Sequence, residues 1–248
     1  MLLTAALFAL TAALYASVGF GGGSTYNALL VLAGTDFRIL PAIALICNIV
    51  VVTGGTIRYA REGMMPWRRA LPIALIAAPF AWAGGLTPIS QKMFIGLLGL
   101  SLLIAALLMI VQRTRALVEQ RRTRPRDYAI GAGIGYFSGL VGIGGGIFLS
   151  PFLHLTRWGH GKPIAATASL FILVNSIAGL IGQLTKLGTV GVEAAAAQYW
   201  PLVLAVLIGG QIGTHAGVRL LGERSIRIVT ALLVGYVAIR LLWQWYGL

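Results

Sequence analysis

Val18-Gly19-Phe20-Gly21-Gly22-Gly23 returns 123 residues later as Val141-Gly142-Ile143-Gly144-Gly145-Gly146, identical at five of six positions. Each copy interrupts an otherwise apolar run. Three successive glycines remove every Cβ, allow positive φ and leave backbone N–H and C=O groups open to a ligand. In water such a run makes a loop. Here the surroundings are hydrophobic: 58% of the 248 residues are hydrophobic, 10% are charged, and mean hydropathy is +0.88. A soluble domain carries about 25% charged residues. The reading is therefore an all-α polytopic membrane protein in a lipid bilayer.

Working outward from the glycines, residues 2–18 are apolar and 24–33 form a second apolar piece. Ten helical residues rise about 15 Å, half of a hydrocarbon core of about 30 Å, so this piece does not span alone. Residues 34–38 read as a polar turn, 39–57 as a full span, 58–69 as a basic loop, and 70–86 and 93–112 as two more spans. The second half repeats the order: 128–141, the glycine run, a short piece at 147–155, then spans at 163–184, 198–218 and 226–246, with a weakly charged loop before 198. This divides the chain into an N-terminal transmembrane repeat (1–112), a basic cytoplasmic linker (113–127, six arginines) and a C-terminal repeat (128–248). Met1 to Ala16 lacks a basic n-region and runs into the first glycines, so it reads as mature protein, not as a signal peptide.

Two topologies compete. If the glycine-broken elements cross the membrane, there are eight spans and the repeats are parallel; if they are re-entrant, each half crosses three times and the repeats are inverted. The re-entrant arrangement puts 15 of the 19 Lys and Arg on the cytoplasmic side, leaving Arg38, Lys92, Lys186 and Arg240 outside; eight crossings put 12 inside. The positive-inside rule favours inversion. It also accounts for the formal charge of +13 without nucleic acid, with a positive field for arriving anions as a second contribution.

Matched breaks in two halves point to a transporter's binding site. The helices that begin at Ser24 and Ile147 would aim unpaired N–H groups and positive dipole ends at the midplane, making an anion site without a buried cation. The candidate substrate contacts are Gly21, Gly22, Gly23, Ser24, Thr25, Asn48, Gly144, Gly145, Gly146, Thr167, Ser169, Asn175 and Gln183. The bland alternative is that the glycines allow close helix packing and the polar residues make ordinary interhelical hydrogen bonds. All six acids fall in loops or at span ends. No span supplies a metal-ligand cluster or a nucleophile–base arrangement, and no Walker lysine follows either glycine run, so no enzyme, cofactor or metal is read here. The lone Cys47 excludes an intrachain disulfide.

At these residues the chain resembles the TauE/SafE family of sulfite-exporter-like permeases. The resemblance rests on Gly-Phe-Gly-Gly-Gly at 19–23, Ser-Gly-Leu-Val-Gly-Ile-Gly-Gly-Gly at 138–146 followed by Pro151, and Ala-Thr-Ala-Ser-Leu at 166–170 followed by Asn175, Ser176 and Gly179. The chain departs from the pattern at Asn27-Ala28, where a Pro-Leu pair is expected. The resemblance implies a two-repeat permease of the prokaryotic cytoplasmic membrane, exporting sulfite, thiosulfate or organosulfonates, and leaves room for a homodimer. An anion channel of the same fold, a membrane-embedded enzyme and a subunit whose glycines only pack are its rivals.

Overall fold

The computed structural model describes residues 2–17, 19–111, 123–159, 161–220 and 223–247, with side chains left aside for 111, 189–197, 214–220, 223–227 and 229. Its helices are α1 (Leu2–Ala16), α2 (Gly23–Leu32), α3 (Leu40–Arg61), α4 (Trp67–Leu86), α5 (Gln91–Val111), α6 (Pro125–Val141), α7 (Gly146–Leu155), α8 (Gly161–Leu220) and α9 (Glu223–Tyr246). No strand occurs among the described residues. Among the described residues four stretches are long and apolar enough to cross a membrane: Leu40–Arg61, Trp67–Leu86, Gln91–Ile110 and Gly161–Gly188.

Both glycine runs turn the chain back on itself. A Cβ on Gly22 would lie 3.3 Å from Thr11 Cγ2, and one on Gly145 would lie 3.0 Å from Ile134 Cγ2. In each copy the partner is eleven residues earlier, a separation that a continuous helix would stretch to about 16 Å. Aromatic pairs fasten the two hairpins: Phe8 stacks on Tyr26 at 4.7 Å, and Phe137 meets Phe148 edge-on at 5.9 Å.

The sequence halves interlock. Glycines in α4, α6 and α8 let backbones touch, since a Cβ on Gly84, Gly139 or Gly182 would overlap the carbonyl of Tyr136, Ala81 or Trp82 respectively. The same device joins α8 to α1, where Gly209 and Gly213 lie on the carbonyls of Ala9 and Ala13. Such contacts replace hydrophobic driving force with dispersion, which is how helices associate in lipid.

Several boundaries differ from expectation. The basic loop shrinks to residues 62–66, because α3 continues to Arg61 and Arg58 pairs with Glu62 at 2.8 Å. The loop expected before residue 198 is helical: α8 breaks only at Gly188 (φ 71°), then continues through Glu193 and four alanines, all good helix formers. The linker's last residues begin α6, with the Arg124 N–H donating to Asp127 Oδ2 at 2.8 Å as a helix cap; residues 112–122 lie outside the described ones. At one end of the molecule the Arg69 guanidinium donates to the Trp158 carbonyl and lies 3.9 Å over its ring. Elsewhere Arg38 and Lys186 line a single cavity.

Candidate functional site: two glycine hairpins meeting at Asn48

Glycine conformation decides the hairpin tips. Gly22 and Gly145 cap α2 and α7 in the left-handed region (φ 87° and 82°), and Gly142 and Gly144 also have positive φ. From there the carbonyl of Gly22 accepts from Thr25 and Tyr26, and that of Gly145 from Phe148 and Leu149. The first donors of each short helix are left over.

A side chain takes one of those donors in the first hairpin, while Gly21, Gly22 and Ser24 N–H have no acceptor among the described residues. In the first hairpin the N–H of Gly23 donates to Asn48 Oδ1 at 2.8 Å, and the same amide's Nδ2 donates to the carbonyl of Ile143 at 3.0 Å. One fully buried carboxamide thus joins the tips of both hairpins. It also explains the missing side chains, because a Cβ on Gly21, Gly23 or Gly144 would run into Asn48. In the second hairpin the comparable space holds Phe171 and Ile172. Among the described residues no acceptor reaches the N–H groups of Gly144, Gly145, Gly146 and Ile147. One hydroxyl faces this stretch, Ser176 Oγ at 3.0 Å from the Cβ position of Gly144, and the Ser138 Cβ lies 3.3 Å from that of Gly145. Both serine hydroxyls are buried with no hydrogen-bond partner among the described residues.

A hairpin tip brings a helix C-terminus, with its partial negative charge, beside a helix N-terminus. Here amide side chains cover the carbonyl end. Gln183 Nε2 donates to Gly139 O (2.8 Å), Asn27 Nδ2 to Val141 O (2.8 Å) and Gly142 O (3.1 Å), and Asn48 to Ile143 O. The same amides leave Asn27 Oδ1 and Gln183 Oε1 buried without a partner among the described residues, so bare donors and bare acceptors both occur around this tip.

Of the thirteen candidates, the six glycines and Asn48 come together, and Gln183 supports them from the α6 side. Ser24 is buried beside them. Thr25 Oγ1 shares a 2.8 Å hydrogen bond with Tyr15. Thr167 donates back to Pro163 O in its own helix, and Ser169 bonds Thr56 across to α3 at 2.8 Å. Asn175 donates to Phe171 O, while its Oδ1 faces Gly135. These make the interhelical and intrahelical bonds that polar residues ordinarily make in membranes. Sequence reasoning passed over Asn27 and Ser138 as site residues. An asparagine inside a ten-residue apolar helix was the available signal, since a buried amide needs carbonyls to bond.

The family model for the sulfite exporter TauE/SafE matches residues 3–241. The chain belongs to that family. It is 31% identical, over 95% of its length and 96% of the relative's, to a probable membrane transporter protein, y4hK, of Sinorhizobium fredii. It is 23% identical, over 75% of its length and 72% of the relative's, to a probable membrane transporter protein, MJ0441, of Methanocaldococcus jannaschii. No solved structure matches. The chain is thus a multi-pass membrane transporter of the TauE/SafE family.

Proposed function

We propose that this transporter exports small sulfur-containing anions, such as sulfite, thiosulfate or organosulfonates, across a prokaryotic cytoplasmic membrane. The anion sits at the second hairpin, on the N–H groups of Gly144 to Ile147. One observation carries this reading: four backbone donors without acceptors among the described residues, with the unpartnered Ser176 hydroxyl beside Gly144, although buried polar groups are ordinarily hydrogen-bonded. A weakly basic oxyanion fits such donors and is released again because no fixed cation holds it. Asn48 then joins the hairpins in the closed state, and transport requires this junction to open and re-form.

The halves are inverted repeats in this proposal, with re-entrant hairpins. Support comes from two pairings: Arg69 with Trp158, and Arg38 with Lys186 around one cavity. Eight crossings would put the members of each pair on opposite sides of the bilayer. The test is flux of labelled sulfite, thiosulfate, sulfoacetate and taurine in reconstituted vesicles, with and without a proton gradient. Gly145→Val, whose Cβ would press on Phe171 and Ile134 in the left-handed region, should insert normally and lose flux. Normal flux in that variant would end the site assignment.

A further inference from the structure

A cavity of about 410 Å³ opens beside the second hairpin, lined by none of Gly144, Gly145 and Gly146. Arg38 comes from the turn between α2 and α3, and Lys186 from the last turn of α8 before its break at Gly188. These residues are 148 positions apart in sequence, from opposite sequence halves, yet they face one space. Phe37, Pro41, Phe94 and Leu140 make half of the remaining wall, which is predominantly apolar, and no acidic residue lines it among the described residues. Lys186 Nζ donates only weakly, to Thr87 O at 3.4 Å, and Arg38 rests 5.8 Å over the Phe37 ring. Asp36, the nearest acid in sequence, accepts from the Arg38 backbone N–H, and no ion pair with the Arg38 guanidinium occurs among the described residues. The cavity also reaches the hairpin: Pro41 packs on Gly142, and Leu140 is an end residue of α6 whose carbonyl Gln183 approaches at 3.3 Å.

We infer that this cavity is a second binding site, separate from the glycine seat, for an organic oxyanion with an apolar body. Arg38 and Lys186 take the oxyanion, and the aromatic and aliphatic wall takes the body. A bare inorganic anion would leave most of 410 Å³ to water, whereas a ring or short chain removes apolar wall from water. Two cations from different sequence halves line one cavity, so a single charged head bound there has two counterions within the same space. The chemistry suits a soluble sulfonate or the phosphate head of an anionic lipid, both oxyanions with apolar bodies.

The experiment uses the full chain in nanodiscs of phosphatidylcholine, with benzenesulfonate and sulfite titrated calorimetrically. Benzenesulfonate should bind, and Arg38→Gln with Lys186→Gln should weaken it by about tenfold or more, the order expected for losing charge-assisted bonds to an oxyanion. Both side chains are exposed, so the double variant should fold, with unchanged circular dichroism as the check. Gly145→Val should retain benzenesulfonate binding here even though the glycine seat is lost, so the two sites can fail separately. In nanodiscs containing phosphatidylglycerol, competition that vanishes in the double variant supports the site and identifies lipid as an occupant. Undiminished benzenesulfonate affinity without competition also supports the site, for a soluble occupant. Equal benzenesulfonate affinity in wild type and double variant, or no binding in wild type, would overturn the inference.

Discussion

Replacing Asn48 with leucine tests the junction between the hairpins directly. The side chains are close in volume, so the change removes two hydrogen bonds without opening a large void. It strands the N–H of Gly23 and the carbonyl of Ile143, both buried. Buried groups left unpaired cost about 1–3 kcal/mol each in water-soluble proteins. Hydrogen bonds between helices in membranes average about 0.6 kcal/mol, because the unfolded chain in lipid also finds partners. The lower scale alone gives about 1.2 kcal/mol for the pair. Asn48 is wedged against three glycines that offer no polar side chain in exchange, so a loss of about 2 kcal/mol is expected. Denaturation by sodium dodecyl sulfate in mixed micelles, followed by tryptophan fluorescence, reads this directly. Asn48→Asp keeps an acceptor for Gly23 but loses the donor and adds negative charge near the anion seat, so its flux should fall more than its stability. A change below about 0.5 kcal/mol in Asn48→Leu, the usual range for surface substitutions, together with wild-type flux, would refute the idea that this amide joins the hairpins.

Other outcomes follow from the same geometry. Gly139→Ala should cost about 3 kcal/mol, since its Cβ overlaps the Ala81 carbonyl; Gly133→Ala, with nothing within 4 Å, should stay within about 0.5 kcal/mol in the same denaturation assay. Ser176→Ala deletes a hydroxyl that has no partner, so it should leave stability nearly unchanged while raising the KM for the transported anion in vesicles; an unchanged KM would remove Ser176 from the seat. A cysteine at Gly161 in a Cys47→Ala background should react with impermeant maleimide only from the cytoplasm, and labelling from outside would restore the eight-crossing arrangement.

Local conformation was readable from the sequence; partners were not. The glycine copies marked both turns, and the short helices begin and end within a residue of the expected limits: 24–33 against Gly23–Leu32, and 147–155 against Gly146–Leu155. Those limits depend on neighbours in sequence, where glycine permits a left-handed cap and an apolar run continues the helix. Asn48 was singled out, but its role was hidden because its acceptor lies 95 residues away. Asn27 stood out only as a departure from the family pattern, although it closes two carbonyls of α6 over 114 and 115 residues. The helix at 189–197 was missed for another reason: Gly188, Gly191 and the single acid Glu193 resemble a loop, while the four alanines that follow favour helix.

The carbonyl of Ala13 packs against Gly213, a residue made 200 positions later. At about 5–20 residues per second, a ribosome needs roughly 10–40 s to supply that cover. During this delay the first helix and its hairpin sit in the nascent protein without their closest neighbour. The docking of α1 is therefore completed only when the end of α8 arrives.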